Sequence, residues 1–361
     1  MHDNDERWME RAIELAEKGR YTAHPNPRVG CVIVKDGKLI GAGWHEAPGE
    51  PHAEQMALQE AGAQAEGATC YVNLEPCTHH GRTPPCTEAL IHARVGRVVV
   101  AHEDPNPKAA GGCKLLAEHG IDVTVGPLRQ HARKLNRGFI KRHERGMPFT
   151  VGKMAISADG RTAMPDGQSR WITSEPARQH VHQLRAQSGA VVTGIGTVLK
   201  DDPRLDARLA KVKGLPPLRV ILDPHGRLDN NAQVINPPGE VLQFTGTETD
   251  AYSRANRSVV KVPLVNNRLD LKACWRHLAD LEINDIFLEC GPTLLGAALD
   301  QELVDELVLY IAPKLFGHGA RPLAYLPGIE CMEDQHELIW TSVRKVGPDI
   351  ELIADVKARR G

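Results

Sequence analysis

The sequence predicts a layered α/β protein built as two consecutive domains. Three observations carry that prediction. Short apolar runs alternate along the chain with segments of helical periodicity, as strands and helices do when they stack in layers. A length of 361 residues suits roughly two domains of about 100–200 residues each. Gly146-Met147-Pro148 ends a polar helical stretch just before a new strand, which sets the expected division at 1–146 and 147–361.

In the first half, residues 5–18 place Trp8, Ala12, Ile13 and Ala16 on one helical face and end at Gly19. Thr22 to Pro27 is an extended loop, because proline restricts both itself and its predecessor. Cys31–Val34 and Leu39–Gly43 are strands joined through the turn Asp36-Gly37. Between 51 and 91 the pattern is helix, strand, loop, helix, with the strand at Cys70–Leu74. Arg97–Ala101 is another strand, followed by the loop His102–Pro107, a helix around 113–119 and a strand Ile121–Val125. Residues 129–145 read as a polar connecting helix.

The chemistry of this half lies between Pro51 and Cys86. His52, Cys77 and Cys86 offer one nitrogen and two thiolates, the ligand types zinc prefers, and three ligands leave a fourth tetrahedral position for water. An open zinc lowers the pKa of that water to about 7. Glu54, two residues after the histidine, is placed to move protons between the water and a leaving group. H-x-E followed by P-C is the zinc nucleobase-deaminase pattern, which usually closes as C-x-x-C; here T-H-H-G-R-T-P-P separates the cysteines. A closed structural site, with His79 or His80 as fourth ligand, is the alternative. Against it, His52 and Cys86 each open a helical pattern and Cys77 follows a strand, an arrangement that builds a pocket.

Composition narrows the partners. The chain is 41% hydrophobic and 25% charged, an ordinary globular balance. Its 44 Lys and Arg against 46 Asp and Glu give a net charge of −2, so nothing global argues for a polyanion. The basic stretch Arg137–Arg145 reads as a solvated helix face. The charged N-terminal stretch predicts no signal peptide, and no run approaches the 18 or so apolar residues of a membrane helix. Eight cysteines, two of them claimed for metal, suit a reducing cytoplasm; Cys31, Cys70, Cys113, Cys274, Cys290 and Cys331 read as inert core residues.

In the second half Phe149–Ser157 is a strand, and Ser174-Glu175-Pro176 starts a helix running through Ala186. Ala190–Thr197 is a strand into a glycine loop. Arg219–Asp223, Val241–Thr245 and Val259–Pro263 are strands; a helix over 270–281 precedes the strand Asp285–Cys290, and a helix then runs to about Gln301. The end, Leu303–Pro313, Glu337–Lys345 and Ile350–Val356, is β-rich. Gly194-Ile195-Gly196-Thr197 and Gly291-Pro292-Thr293-Leu294-Leu295-Gly296 each lead a strand into a helix start, where backbone N–H groups can receive phosphate. Neither is a dinucleotide fingerprint or a Walker loop. With Lys153, Asp201 and Glu289 near strand ends they suggest a nucleotide site.

Several motifs together resemble the bifunctional pyrimidine deaminase/reductase family of the riboflavin pathway. They are H-P-N-P-R-V-G-C-V-I-V (24–34), G-E-P-H-A-E (49–54), L-E-P-C-T-H-H-G-R-T-P-P-C (74–86) and E-D-P-N-P (103–107), then M-A-I-S-A-D-G-R-T-A (154–163), S-R-W-I-T-S (169–174), L-R-A-Q-S (184–188), T-V-L-K-D-D-P (197–203) and L-E-C-G-P-T-L-L-G-A (288–297). The long insert between the cysteines is that family's form of the site. The resemblance implies a cytidine-deaminase-like three-layer α/β/α domain followed by a dihydrofolate-reductase-like α/β domain. It implies zinc-dependent deamination of 2,5-diamino-6-(5-phosphoribosylamino)pyrimidin-4-one, then NADPH-dependent reduction of the ribosyl chain to ribityl.

Carried over, His52, Cys77 and Cys86 hold Zn2+ and Glu54 shuttles protons, while Asn26, His45, His79, Arg82 and Asn106 shape the deaminase pocket. Ala155, Trp171, Thr197, Asp201 and Gly291, Pro292, Thr293, Leu294, Leu295, Gly296 and Ala297 match cofactor positions. Ser169, Arg185, Leu205, Arg208 and Glu289 match substrate positions, the arginines suiting a phosphate. At Asp223-Pro224 the family often has serine after the aspartate, which puts a cofactor contact there in doubt. Hydride transfer requires the sugar to open first, since a closed hemiaminal accepts no hydride. The expected partner is a small pyrimidine ribotide, with no nucleic acid and no membrane; a homo-oligomer stays open. A deaminase acting on nucleic acid and a non-catalytic zinc scaffold are the rival readings.

Overall fold

Asp36 and Gly37 both take positive φ, 52° and 72°, and close the hairpin between β1 (Gly30–Lys35) and β2 (Lys38–Trp44). The computed structural model describes residues 2–80, 84–208, 214–247 and 256–358. The chain divides into two units, Met1–Arg145 and Gly146–Gly361.

The first unit is built on a five-stranded sheet, ordered β2-β1-β3-β4-β5, with β3 at Thr69–Val72, β4 at Arg97–Val100 and β5 at Asp122–Val125. β1 pairs antiparallel with β2 and β3, whereas β3, β4 and β5 are parallel. Side chains alternate across the sheet, so each strand feeds two cores. Cys31, Ile33, Cys70, Val72, Val98 and Val100 pack on one face with helix Ala53–Ala61 and Leu90 and Leu116. Val32, Val34, Tyr71 and Val99 pack on the other with Trp8, Met9 and Ala12 of helix His2–Ala16. The result is three layers.

Two glycines decide how close the helix that carries Glu54 can come. A Cβ on Gly43 would lie 2.4 Å from the Ala53 carbonyl oxygen, and one on Gly41 2.2 Å from that of Ala57. Only bare backbone in β2 admits this helix. The stretch 129–145, expected as one polar connecting helix, is instead two helices, Arg129–Leu135 and Arg137–Arg145. Buried Ala132, Leu135, Phe139 and Ile140 pack them onto the unit, and buried Asn136 between them holds both backbone groups of Arg28.

The second unit holds a nine-stranded sheet ordered β11-β10-β9-β8-β14-β6-β15-β18-β17. In chain order its strands are β6 (Phe149–Ser157), β8 (Ala190–Gly194), β9 (Leu218–Leu222), β10 (Val241–Thr245), β11 (Arg257–Lys261), β14 (Asp285–Glu289), β15 (Glu306–Ala312), β17 (Leu338–Val346) and β18 (Asp349–Val356). Two short pairs form separate two-stranded sheets, β7 (Arg161–Ala163) with β16 (Arg321–Pro322) and β12 (Leu264–Val265) with β13 (Arg268–Leu269). β11 through β15 run parallel and β18 and β17 return antiparallel. Covered on both faces, the parallel strands are nearly continuous apolar runs, such as Ala-Val-Val in β8 and Ile-Phe-Leu in β14.

Two details depart from the expected elements. Gly196 and Thr197 are not loop but the first turn of helix Ile195–Asp201. Cys331 is exposed, and Cys113 and Cys290 are half-buried, so those three are not the sealed core cysteines their neighbours suggested. Among the described residues no helix is long and apolar enough to cross a membrane.

Candidate active sites

β3 ends at Val72 and the chain runs through Asn73 to Cys77, while His52 caps helix Ala53–Ala61 and Cys86 opens helix Cys86–His92. His52 Nδ1 lies 3.1 Å from Cys86 Sγ and 3.5 Å from Cys77 Sγ. Donors sharing a tetrahedral zinc, with bonds of roughly 2.0–2.3 Å, stand about 3.6 Å apart, so one imidazole and two thiols fit the ion by chemistry and by spacing. The hydrogen bond from Cys86, opposed by burial and helped by His52, pulls the Cys77 thiol well below its usual range, toward the thiolate that binds metal. Among the described residues no fourth His, Cys, Asp or Glu joins the cluster. His79 and His80 are exposed, and His80 faces Glu88 at 3.5 Å.

Glu54 is 3% exposed in the first turn of its helix. Burial pushes its carboxyl up to about 7, with His52 pulling the other way and Cys77 adding to the rise. A group poised there can both take and return a proton near neutral pH. His45, also buried, forms the adjoining wall, its ring edge-on to His52 with centroids 5.4 Å apart. The Asn26 amide reaches His45 Nε2 at 3.0 Å and the Pro51 carbonyl reaches Nδ1 at 3.3 Å. That network makes Nε2 the acceptor and Nδ1–H the donor, a neutral ring. Burial lowers its pKa accordingly, against the Pro51 carbonyl.

Of the expected pocket residues, the structure thus brings Asn26 and His45 to the cluster and leaves His79 on the surface. Arg82 lies outside the described residues. Asn106 sits in a turn whose anchor the sequence reading missed, Glu75. Buried Glu75 accepts the Asp104 N–H at 2.9 Å and the Cys113 N–H at 2.8 Å, tying the Pro76-Cys77 turn to the loop that carries Asn106. Gln55 was missed too: its amide donates to Pro84 O at 3.0 Å, joining the His52 helix to the approach of Cys86. An acid directly before Pro-Cys was a signal for Glu75; nothing local marked Gln55.

In the second unit the carboxyl ends of β6, β8, β9 and β14 open on a cavity of about 1550 Å³. Open α/β sheets bind ligands at such ends. Because β14 lies beside β8, the two glycine segments are neighbours, and Gly194–Thr197 and Gly291–Leu294 line the same cavity. Ala155, Trp171, Asp201 and Ala297 line it as well. Leu295 and Gly296 do not: Leu295 is fully buried in the core, and a Cβ on Gly296 would meet the Tyr325 carbonyl oxygen at 1.9 Å.

Ser169, Arg185, Leu205, Arg208 and Glu289 also face the cavity. Arg185, expected to be a phosphate ligand, already spends its fork on Glu289, with Nε–Oε2 at 2.8 Å and Nη2–Oε1 at 2.9 Å. Lys153 approaches the same carboxylate at 3.4 Å. Burial alone would raise the Glu289 pKa, but Arg185 and Lys153 outweigh it and hold it at about 2. Exposed Arg208 and half-exposed Arg204, both on Asp206, are accessible cations at this end. His182 and Arg204 line the cavity without having been anticipated.

Fold and sites together define a two-activity enzyme, a zinc deaminase joined to a reductase. The profile of the cytidine and deoxycytidylate deaminase zinc-binding region matches residues 2–102, and that of the RibD C-terminal domain matches 148–352. The chain is 47% identical to the riboflavin biosynthesis protein RibD of Escherichia coli K12, over 96% of this chain and 98% of that one. It is 42% identical to the Haemophilus influenzae protein of the same name, over 96% and 95%. Acinetobacter baumannii RibD superposes with a TM-score of 0.92 at 44% identity, covering 99% of this chain and 100% of that one. A Thermotoga maritima diaminohydroxyphosphoribosylaminopyrimidine deaminase/5-amino-6-(5-phosphoribosylamino)uracil reductase gives 0.89 at 34%, covering 99% of both. The chain belongs to the RibD family of riboflavin biosynthesis proteins.

Proposed function

We propose that the first unit deaminates 2,5-diamino-6-(5-phosphoribosylamino)pyrimidin-4-one and that the second reduces the ribosyl chain of the product with NADPH. The observation that carries this reading is the convergence of His52, Cys77 and Cys86 beside a buried, non-ligating Glu54. Zinc held by those three residues supplies a Lewis acid that lowers the pKa of water. Glu54 takes the proton of the attacking water and returns it to the departing ammonia. Neutral His45, fixed by Asn26 and Pro51, gives the pyrimidine a wall without competing for that proton.

For reduction, the start of helix Pro292–Asp300, capped at Gly291, offers unpaired N–H groups to the coenzyme pyrophosphate. The coenzyme supplies the hydride, and the protein supplies orientation and charge. Glu289 holds Arg185 and Lys153 in register at the substrate end, and Arg208 suits the ribotide phosphate. We assign the two activities to residues 1–146 and 147–361. A small ribotide rather than nucleic acid, in the cytoplasm, agrees with the net charge of −2 and with eight free cysteines. The test is incubation of zinc-loaded protein with the ribotide, with and without NADPH, products read by mass. Release of ammonia without NADPH and ribityl product only with it are expected. No ammonia from folded, zinc-loaded protein would overturn the reading.

A further inference from the structure

We infer that Arg227 and Arg268 read the 2′-phosphate of NADPH and so set the preference for NADPH over NADH. The inference rests on the coenzyme site proposed above. In the sheet β9, β8, β14 and β6 are successive neighbours, and the cavity runs along their carboxyl ends. A dinucleotide with its pyrophosphate at Gly291 and its nicotinamide toward Ala155 of β6 extends its adenosine to the end of β9. The wall there includes Leu222, Pro224, Arg227, Val265, Arg268 and Leu269. Apolar side chains suit the purine, and two cations stand beside them.

The alternative reader would be an acid. In dinucleotide sites a strand-end carboxylate binds the free ribose 2′-hydroxyl, whereas an arginine nearby accommodates the 2′-phosphate. β9 is followed by such an acid, Asp223, but it is fully buried. Its Oδ2 accepts the Leu228 N–H and the Gln243 amide, each at 2.8 Å. The carboxylate therefore faces the fold, where it holds the turn 223–228 that carries Arg227. Arg227 Nε stands 4.0 Å from Asp223 Oδ1, and its side chain is 52% exposed.

Pro224, where the family often has serine, brings no hydroxyl and no N–H. Arg268 comes from the small hairpin of β12 and β13, whose turn residues Asn266 and Asn267 take φ of 50° and 62°. Asp270, the neighbouring acid on this wall, is engaged as the cap of helix Leu271–Asp280, accepting the Ala273 N–H at 3.1 Å. The charge offered to the ribose is positive, and guanidinium forks match a phosphate dianion.

The test is calorimetric binding of NADPH, NADH, adenosine 2′,5′-bisphosphate and 5′-AMP to the zinc-loaded full chain. It compares wild type with R227Q, R268Q, the double variant and R227K. The double variant should lose about tenfold or more in affinity for NADPH and the bisphosphate, and no more than about threefold for NADH and 5′-AMP. R227K should recover part of the loss. Unchanged discrimination in a double variant that melts like wild type would overturn the inference, as would equal weakening for both coenzymes. A wild-type protein that binds neither coenzyme would overturn the coenzyme site as well, which separates the two failures.

Discussion

Replacing Glu289 by glutamine tests the charge cluster at the floor of the reductase cavity. The native carboxylate accepts both arms of Arg185 and faces Lys153. The amide keeps the shape, but offers one acceptor oxygen and turns an NH₂ toward a donor. The carboxyl falls from 4.5 to about 2 in the fold, and its side chain is only 18% exposed. Some two and a half units correspond to about 3 kcal/mol of stability at neutral pH. Because the folded pKa is depressed, that stability is complete above 4.5 and fades as pH falls toward 2. Linkage over this interval removes about 1.4 kcal/mol by pH 3.5. Glu289→Gln should therefore destabilise the second unit by about 3 kcal/mol at pH 7 and by about half that at pH 3.5. The assay is urea unfolding at both pH values, followed by hydrogen exchange in peptides covering Asp285–Glu289. Reduction should fall while NADPH affinity stays. A stability gap that does not narrow on acidification would refute the electrostatic account, and a matching loss of NADPH affinity would refute the division between substrate and coenzyme residues.

Glu54→Gln should lower deamination by roughly 10²–10⁴-fold while metal analysis still finds one zinc per chain; near-normal ammonia release would remove Glu54 from the proton path. Gly291→Val should sharply raise the NADPH concentration needed for reduction and leave zinc content and deamination unchanged. A Cβ there meets no protein atom within 4 Å, so unaltered affinity in the folded variant would reduce the segment to a turn. Gly43→Ala, whose new Cβ would press on the Ala53 carbonyl at 2.4 Å, should loosen zinc and cut deamination with no change in NADPH affinity, as metal competition with a chelator would read.

Much of the first site was legible because its chemistry lies in side-chain identity. Two cysteines and one histidine at helix starts and a strand exit are visible in a string of letters, and the structure draws those three atoms together. The Asp36-Gly37 hairpin was legible for a similar reason, since few residues accept two successive positive φ values. What stayed hidden depends on distant partners. Nothing near Arg185 in the chain tells that Glu289, 104 positions away, holds it. Leu295 and Gly296 belong to a loop that reads as uniformly ligand-facing, yet the helix turns them into the core. The single polar helix expected over 129–145 failed because Asn136, polar in sequence, is buried as the clasp of Arg28.

The strand order explains why two weak glycine signals become one site. Each segment alone is an ordinary strand-to-helix turn, separated from the other by nearly a hundred residues. β8 is laid down early, and the chain then builds β9, β10 and β11 outward on one side. It returns through helix Leu271–Asp280 to insert β14 between β8 and β6. That insertion places Gly194 and Gly291 at adjacent strand ends, and Glu289 opposite Lys153 in register across β6. The same step buries Trp275, whose indole N–H donates to Thr150 Oγ1 of β6 at 2.8 Å, pinning the returning helix to the strand beside its own β14. Core packing and the proposed coenzyme site are therefore consequences of one crossover. A lesion at Trp275 would reach the cavity through the placement of β14, without touching a cavity-lining side chain.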